Sequence, residues 1–132
     1  MDQHAVTTQT TACTQLLASV VGLAISDACT KPTRKMFRRK DGPPRYVTEP
    51  TDAAIDALVF LMGNAEHVIN VLGMDGDRFK QKLVDQMFER GDASDEPNYF
   101  TSHIEEKKRY NFRHNYTWLL NNPQRRLTLN LD

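Results

Sequence analysis

A chain of 132 residues with 39% apolar side chains is long enough for one domain with a real core and too short for two well-packed ones. That share of large apolar groups excludes a wholly disordered chain. The net charge of zero conceals a segregation along the chain: residues 31–47 carry +6 and 107–132 carry +5, against −2 over 1–30, −4 over 48–91 and −5 over 92–106. Two basic segments therefore flank an acidic core, and they either offer positive patches to anionic partners or neutralise the core internally.

Residues 1–10 are polar and threonine-rich and read as a frayed lead-in. Over residues 11–29, Leu16, Leu17, Val20, Leu23 and Ala24 recur at spacings of three and four, with Val21, Ile25 and Ala28 widening the stripe. This predicts an amphipathic helix with a broad apolar face. That face packs on the protein's own core or forms a dimer seam, and a homodimer meeting on Leu17, Val20, Val21 and Ala24 is the expectation. Cys13 and Cys29 lie sixteen residues apart on this helix, ~24 Å at 1.5 Å per residue and far beyond disulfide reach, so both are expected as free thiols. With no CxxC pair, no secretory signal and an apolar run from Leu16 to Ile25 too short to span a bilayer, the expectation is an intracellular protein, cytoplasmic in a host cell, with no membrane partner.

Residues 31–47 hold three of the six prolines and seven cations, Lys31, Arg34, Lys35, Arg38, Arg39, Lys40 and Arg45. The Asp41-Gly42-Pro43-Pro44 run is a strong breaker signal. The segment reads as a basic, proline-rich arm, either a solvated linker or a phosphate-contacting arm.

Residues 51–90 organise the chain into three helical blocks separated by Gly63-Asn64 and by Gly73-Met74-Asp75-Gly76. Thr51 caps the first, which is apolar almost all round from Ala54 to Met62 and so predicts the most buried helix. In the second, Ala65, Val68, Ile69 and Leu72 face inward. The third, over 77–90, buries Phe79, Leu83, Val84, Met87 and Phe88 and ends before Gly91. Its outer face carries Arg78, Gln81, Lys82, Asp85 and Glu89.

Residues 92–98 form an acidic loop. Ser102 and Glu105 have the spacing of a capping box opening a last helix that closes at Asn121-Asn122-Pro123. The alternating Leu127, Leu129 and Leu131 predict a short strand or an extended tail with one apolar edge.

The predicted fold is all-α: a small helical bundle with an N-terminal amphipathic helix over 1–30, the basic arm over 31–47 and a helical core domain over 48–132 that holds the helix-turn-helix-like trihelical core, a C-terminal basic-aromatic helix and the tail. A helix-turn-helix needs two short helices joined by a tight turn with a small residue at the bend, and the AEHVINVLGMDGDRFKQKL segment meets that description. Against DNA contact, Asp75 and Asp77 sit at the start of the reading helix, where phosphate repels them. The stretch AAIDALVFLMGNAEHVINVLGMDGDRFKQKLV, residues 53–84, resembles a segment of small, mostly uncharacterised proteins of tailed bacteriophages. The resemblance implies a phage origin and a trihelical core and brings no catalytic residues with it.

Two residue sets are candidates for binding. Arg34, Lys35, Arg38, Arg39, Lys40, Arg78 and Lys82 are the expected contacts to double-stranded DNA. On the last helix, Lys107, Tyr110, His114 and Trp118 fall on one face, while Phe112, Tyr116, Leu119 and Leu120 form the core face. That first stripe stacks on bases, anchors a host or phage protein, or packs against the N-terminal helix. The four histidines show no metal-ligand spacing and no glycine loop cradles phosphate. The expected function is thus a small phage-type DNA-binding or transcription-modulating protein without catalysis, cofactor or metal. The alternative is an accessory or virion adaptor protein that binds a protein partner.

Overall fold

The structure is a computed structural model that describes residues 3–89 and 104–125, with side chains from residue 11 onward. Among the described residues the elements follow in the order α1 (Gln3–Ala28), β1 (Thr33–Phe37), β2 (Arg45–Glu49), α2 (Asp52–Met62), α3 (Ala65–Val71), α4 (Gly76–Met87) and α5 (Glu106–Leu120), and residues 123–125 are helical as well. The acidic loop and the leucine tail lie outside the described residues.

The protein is mostly helical but not all-α. Residues 31–47, expected as a linker, contain an antiparallel hairpin in which Arg34 pairs with Thr48, Lys35 with Val47 and Met36 with Tyr46. Both strands combine β-branched or aromatic residues with long aliphatic stems, which suits a pleated surface. Of the three prolines that argued against structure, Pro32 precedes β1 and Pro43 and Pro44 sit in the connecting loop, where Gly42 takes a φ of +114° that only glycine adopts cheaply. The Asp-Gly pair between two such runs is itself a hairpin signal.

α1 is longer than predicted and begins at Gln3. Residues 3–10 contain neither Pro nor Gly, so a helix already nucleated downstream propagates through them at one hydrogen bond per residue. Its C-terminal half packs along α2, placing Val21, Ala24, Ile25 and Ala28 in the core. This corrects the dimer seam: Val21 and Ala24 are buried within the chain, while the outward apolar stripe is Leu16, Val20 and Leu23. The stretch Thr11–Ala28 is also long and apolar enough to cross a membrane by length and composition, which the shorter Leu16-to-Ile25 reading missed.

α2 is the central helix. Thr51 Oγ1 accepts the Ala54 N–H at 3.2 Å, capping it as expected. Leu58 and Leu61 are fully buried against Ile69, Leu83, Met87 and Phe112 from three other helices, each contributing ~1.5–3 kcal/mol of burial. Gly63 ends α2, and α3 leaves at 54° to it.

The α3–α4 corner is tight. Gly73 (φ +81°) lets the chain turn, Asn70 Oδ1 accepts the Gly76 N–H at 2.9 Å, and Asp75 caps α4 by accepting from the Asp77 and Arg78 amides. A Cβ on Gly76 would lie 2.6 Å from the Glu66 carbonyl oxygen, so this crossing requires a glycine. Lys80 Nζ then bridges back to Glu66 at 3.1 Å.

α4 stops at Met87, earlier than predicted, with Glu89 in the left-handed conformation (φ 54°); Gly91 lies outside the described residues. α5 begins at Glu106, and its N-cap Glu105 makes no side-chain cap bond. The capping box read there therefore does not open the helix in that register, and Ser102 lies outside the described residues. Phe112 and Leu119 face the core as expected and Phe112 stacks on Tyr116, but Leu120 is exposed.

Candidate nucleic-acid interface

Antiparallel partners share a face, so Arg34, Met36, Tyr46 and Thr48 lie on one side of the ribbon and Lys35, Phe37, Arg45 and Val47 on the other. Almost every residue from Thr33 to Thr48 is exposed, so the hairpin stands out from the helical body. The Arg34 guanidinium carbon lies 4.1 Å above the Tyr46 ring, and Lys35 Nζ is 3.4 Å from Glu49 Oε2. Arg38, Arg39 and Lys40 occupy the exposed connecting loop, and Arg45 opens the return strand. Against seven cations from Lys31 to Arg45, residues 31–49 contain two acids, Asp41 and Glu49.

A two-stranded ribbon is marginal by itself, and this one is tied down at its root by α5. Asn115 is fully buried, and its amide nitrogen donates to the carbonyls of Ala28 and Thr30, both at 2.9 Å. One turn earlier, Asn111 donates to the Cys29 carbonyl at 3.2 Å. Together they satisfy carbonyls that the end of α1 leaves without helical partners and fix the chain as it enters β1. Pro50, where the chain leaves β2, is buried.

α5 treats the end of α4 in the same way. Arg113 Nη1 donates to the Met87 carbonyl at 2.9 Å and Arg109 Nη1 to that of Gln86 at 3.4 Å, placing cations at the negative end of a helix dipole. Arg113 also pairs with Glu106 at 2.6 Å. Its hydrogen bond is the main reason that the Glu106 carboxyl is held below its ordinary pKa. Two of the cations of α5, Arg109 and Arg113, therefore act as structural clamps.

The structure thus brings Arg34, Lys35, Arg38, Arg39 and Lys40 together on one hairpin. Arg78 and Lys82 lie elsewhere, on α4, which packs against α3 and α5, with Arg78 exposed and Lys82 half-buried. Of the predicted partner stripe, Tyr110, His114 and Trp118 line one open groove of about 400 Å³ on α5, shared with Arg113, Thr117 and Asn121. Lys107 is exposed at the start of α5 and does not line it. His114 Nδ1 is buried there and has no hydrogen-bond partner.

Sequence reasoning missed the asparagine clasp. Its signal was present, since Asn111 and Asn115 are spaced four apart and fall on one side of a helix whose core face was already assigned. Among the described residues no group of three or more His, Cys, Asp or Glu side chains is placed to hold a metal ion. Compared with protein-family models, with curated proteins and with solved structures, the chain has no match.

Proposed function

We propose that the protein is a small, non-catalytic nucleic-acid-binding protein, of the phage type its central segment resembles and acting in the host cell interior, whose principal contact is the basic hairpin. One observation carries this reading: six cations between Arg34 and Arg45 are gathered on an exposed ribbon, and of these Lys35 is the one that meets a carboxylate among the described residues. The major groove of a duplex, ~12 Å wide, admits a two-stranded ribbon as readily as a helix. The exposed ring of Tyr46 would lie beside the bases, with Met36 on the same face of the ribbon, while the loop cations neutralise phosphates.

In this reading α2, α3 and α4 form a helix-turn-helix-like core. Arg78 and Lys82 provide secondary phosphate contacts, and Asp75 serves as the cap of α4 rather than as a reader. A labelled duplex titrated at low salt tests the proposal: the Arg38→Ala/Arg39→Ala/Lys40→Ala protein should bind at least tenfold more weakly than the parent.

The second reading is a protein-binding adaptor that uses the α5 groove, and the clustering of Tyr110, His114 and Trp118 around one opening favours it. Under that reading Trp118→Ala abolishes partner binding, as loss of an aromatic anchor, and the hairpin triple variant leaves it intact.

A further inference from the structure

The two halves of α1 stand in different surroundings. Residues 11–16 are exposed at every position, whereas Val21, Ala24, Ile25 and Ala28 are buried in the body. A short helical stretch with no packed face is marginal in water, so the projecting part calls for a cover. Its outward side carries Cys13, Leu16, Val20 and Leu23 at steps of three, four and three, the spacing of a coiled-coil seam. Leu16 and Leu23 are each 64% exposed and Val20 43%.

The same helix forms one wall of a second groove. This opening, of about 360 Å³, runs between α1 and α2 and is lined by Val20, Leu23, Ala57 and Phe60, with the acids Asp27 and Asp56. Leu16 is not among the residues that line it, so an occupant of the groove alone would leave that leucine in water. A second copy of α1 running the opposite way covers both. Its projecting half lies in the groove of the first chain, and the projecting half of the first lies in its own. Contacts repeated in this way make the surface self-complementary, as a two-fold interface requires.

Charge selects both the occupant and its direction. Residues 3–26 contain no Asp, Glu, Lys or Arg, so an antiparallel copy lays an uncharged helix beside Asp27 and Asp56. A parallel pair would continue the seam to Asp27, four residues after Leu23, and set the two Asp27 carboxylates together. Like charges so placed repel each other.

We propose that the protein is a homodimer in which α1 pairs antiparallel with α1 of a second copy, about a two-fold axis near Ala18. Leu16 of each copy rests against Val20 and Phe60 of the other, and Cys13 against Leu23. Cys13 occupies the outermost layer of this seam and stays within reach of reagents. Val21 and Ala24 remain in the core of their own chain. The ends of the two α1 helices at Ala28, where the hairpins begin, lie ~30 Å apart along the seam at 1.5 Å per residue, near the ~34 Å of one duplex turn. That match rests on the hairpin as a nucleic-acid contact; the dimer itself does not.

The test needs no nucleic acid and uses the full chain. Sedimentation at tens of micromolar protein should give the mass of two chains. Leu16→Glu/Leu23→Glu, which alters two exposed side chains, should give the mass of one and keep a cooperative unfolding transition. A monomeric parent would overturn the proposal, whether or not it then binds lipid vesicles, and so would a variant that stays dimeric. Oxidation reads the direction independently. Leu23→Cys places a new thiol opposite native Cys13 of the other copy, and it should form disulfide-linked dimers at least five times faster than the parent or than Cys13→Ser/Leu23→Cys, in which the facing thiols are ~15 Å apart along the seam. Comparable rates in all three proteins would overturn the proposal. Rapid linkage of the parent through Cys13 alone would overturn it by assigning a parallel pair.

Discussion

The amide of Asn115, on α5, reaches across to the Ala28 carbonyl at the end of α1, 87 residues earlier in the chain, at a distance of 2.9 Å. The same nitrogen holds the Thr30 carbonyl, so a single buried side chain sets both where α1 stops and where the basic hairpin starts. Asn115→Ala leaves these acceptors without their donor and should destabilise the fold by ~1–3 kcal/mol. Asn115→Asp should cost more, because a carboxylate would face carbonyl oxygens. Urea denaturation of the three proteins checks the order, and equal midpoints would mean that the clasp contributes nothing.

Two glycines predict opposite outcomes. Gly76→Ala drives a methyl to 2.6 Å from the Glu66 backbone, and such overpacking should lower stability by ~1–3 kcal/mol. Gly22, in the middle of α1, has nothing within 4 Å of an added Cβ, so Gly22→Ala should raise stability by up to ~1 kcal/mol through helix propensity. Thermal melts of both variants should shift in opposite directions.

The two thiols should behave differently. Cys13 is exposed and Cys29 buried, and desolvation pushes the Cys29 thiol from 9.0 to about 11, slightly opposed by Lys108. At pH 8 one thiol per chain should react promptly with a thiol reagent and the second only on unfolding. Because the folded state raises this pKa, the associated stability is complete below pH 9 and is lost as pH rises towards about 11. Denaturant midpoints measured across that window should fall for the parent and fall less for Cys29→Ala.

Core truncations should rank by burial rather than by apolar character alone. Phe112 is fully buried among α1, α2 and α4 side chains, so Phe112→Ala should cost ~3–5 kcal/mol. Phe60 is half-buried and lines the α1–α2 groove, so Phe60→Ala should cost clearly less. Equal losses at the two sites would contradict this packing.

The helical core was legible because its signals are local. The Thr51 cap, the all-round apolar run to Met62 and the glycine-rich corner between α3 and α4 each reside within a few adjacent residues. The hairpin was read as a linker because prolines and cations dominate its composition, although the Asp41-Gly42 pair flanked by RKMF and RYVTE marks a turn between strands. The role of α5 was least legible. Its cations and asparagines are spaced four apart like any surface stripe, and only the folded chain brings Arg113 to the Met87 carbonyl and Asn115 to that of Ala28. The same long-range geometry decided α1: periodicity found its apolar positions, but which side met α2 depended on packing, and Val21 rather than Val20 turned inward.

The most direct test of the hairpin as a nucleic-acid contact is the salt dependence of duplex binding. Each phosphate neutralised releases counterions, so the slope of log affinity against log salt steepens by ~0.9 per contact. Replacing Arg38, Arg39 and Lys40 with alanine should flatten that slope by about 2.7 and leave the far-UV circular dichroism unchanged, since all three are exposed loop residues. An unchanged slope in the variant, or no binding of the parent protein to duplex at low salt, would contradict the account.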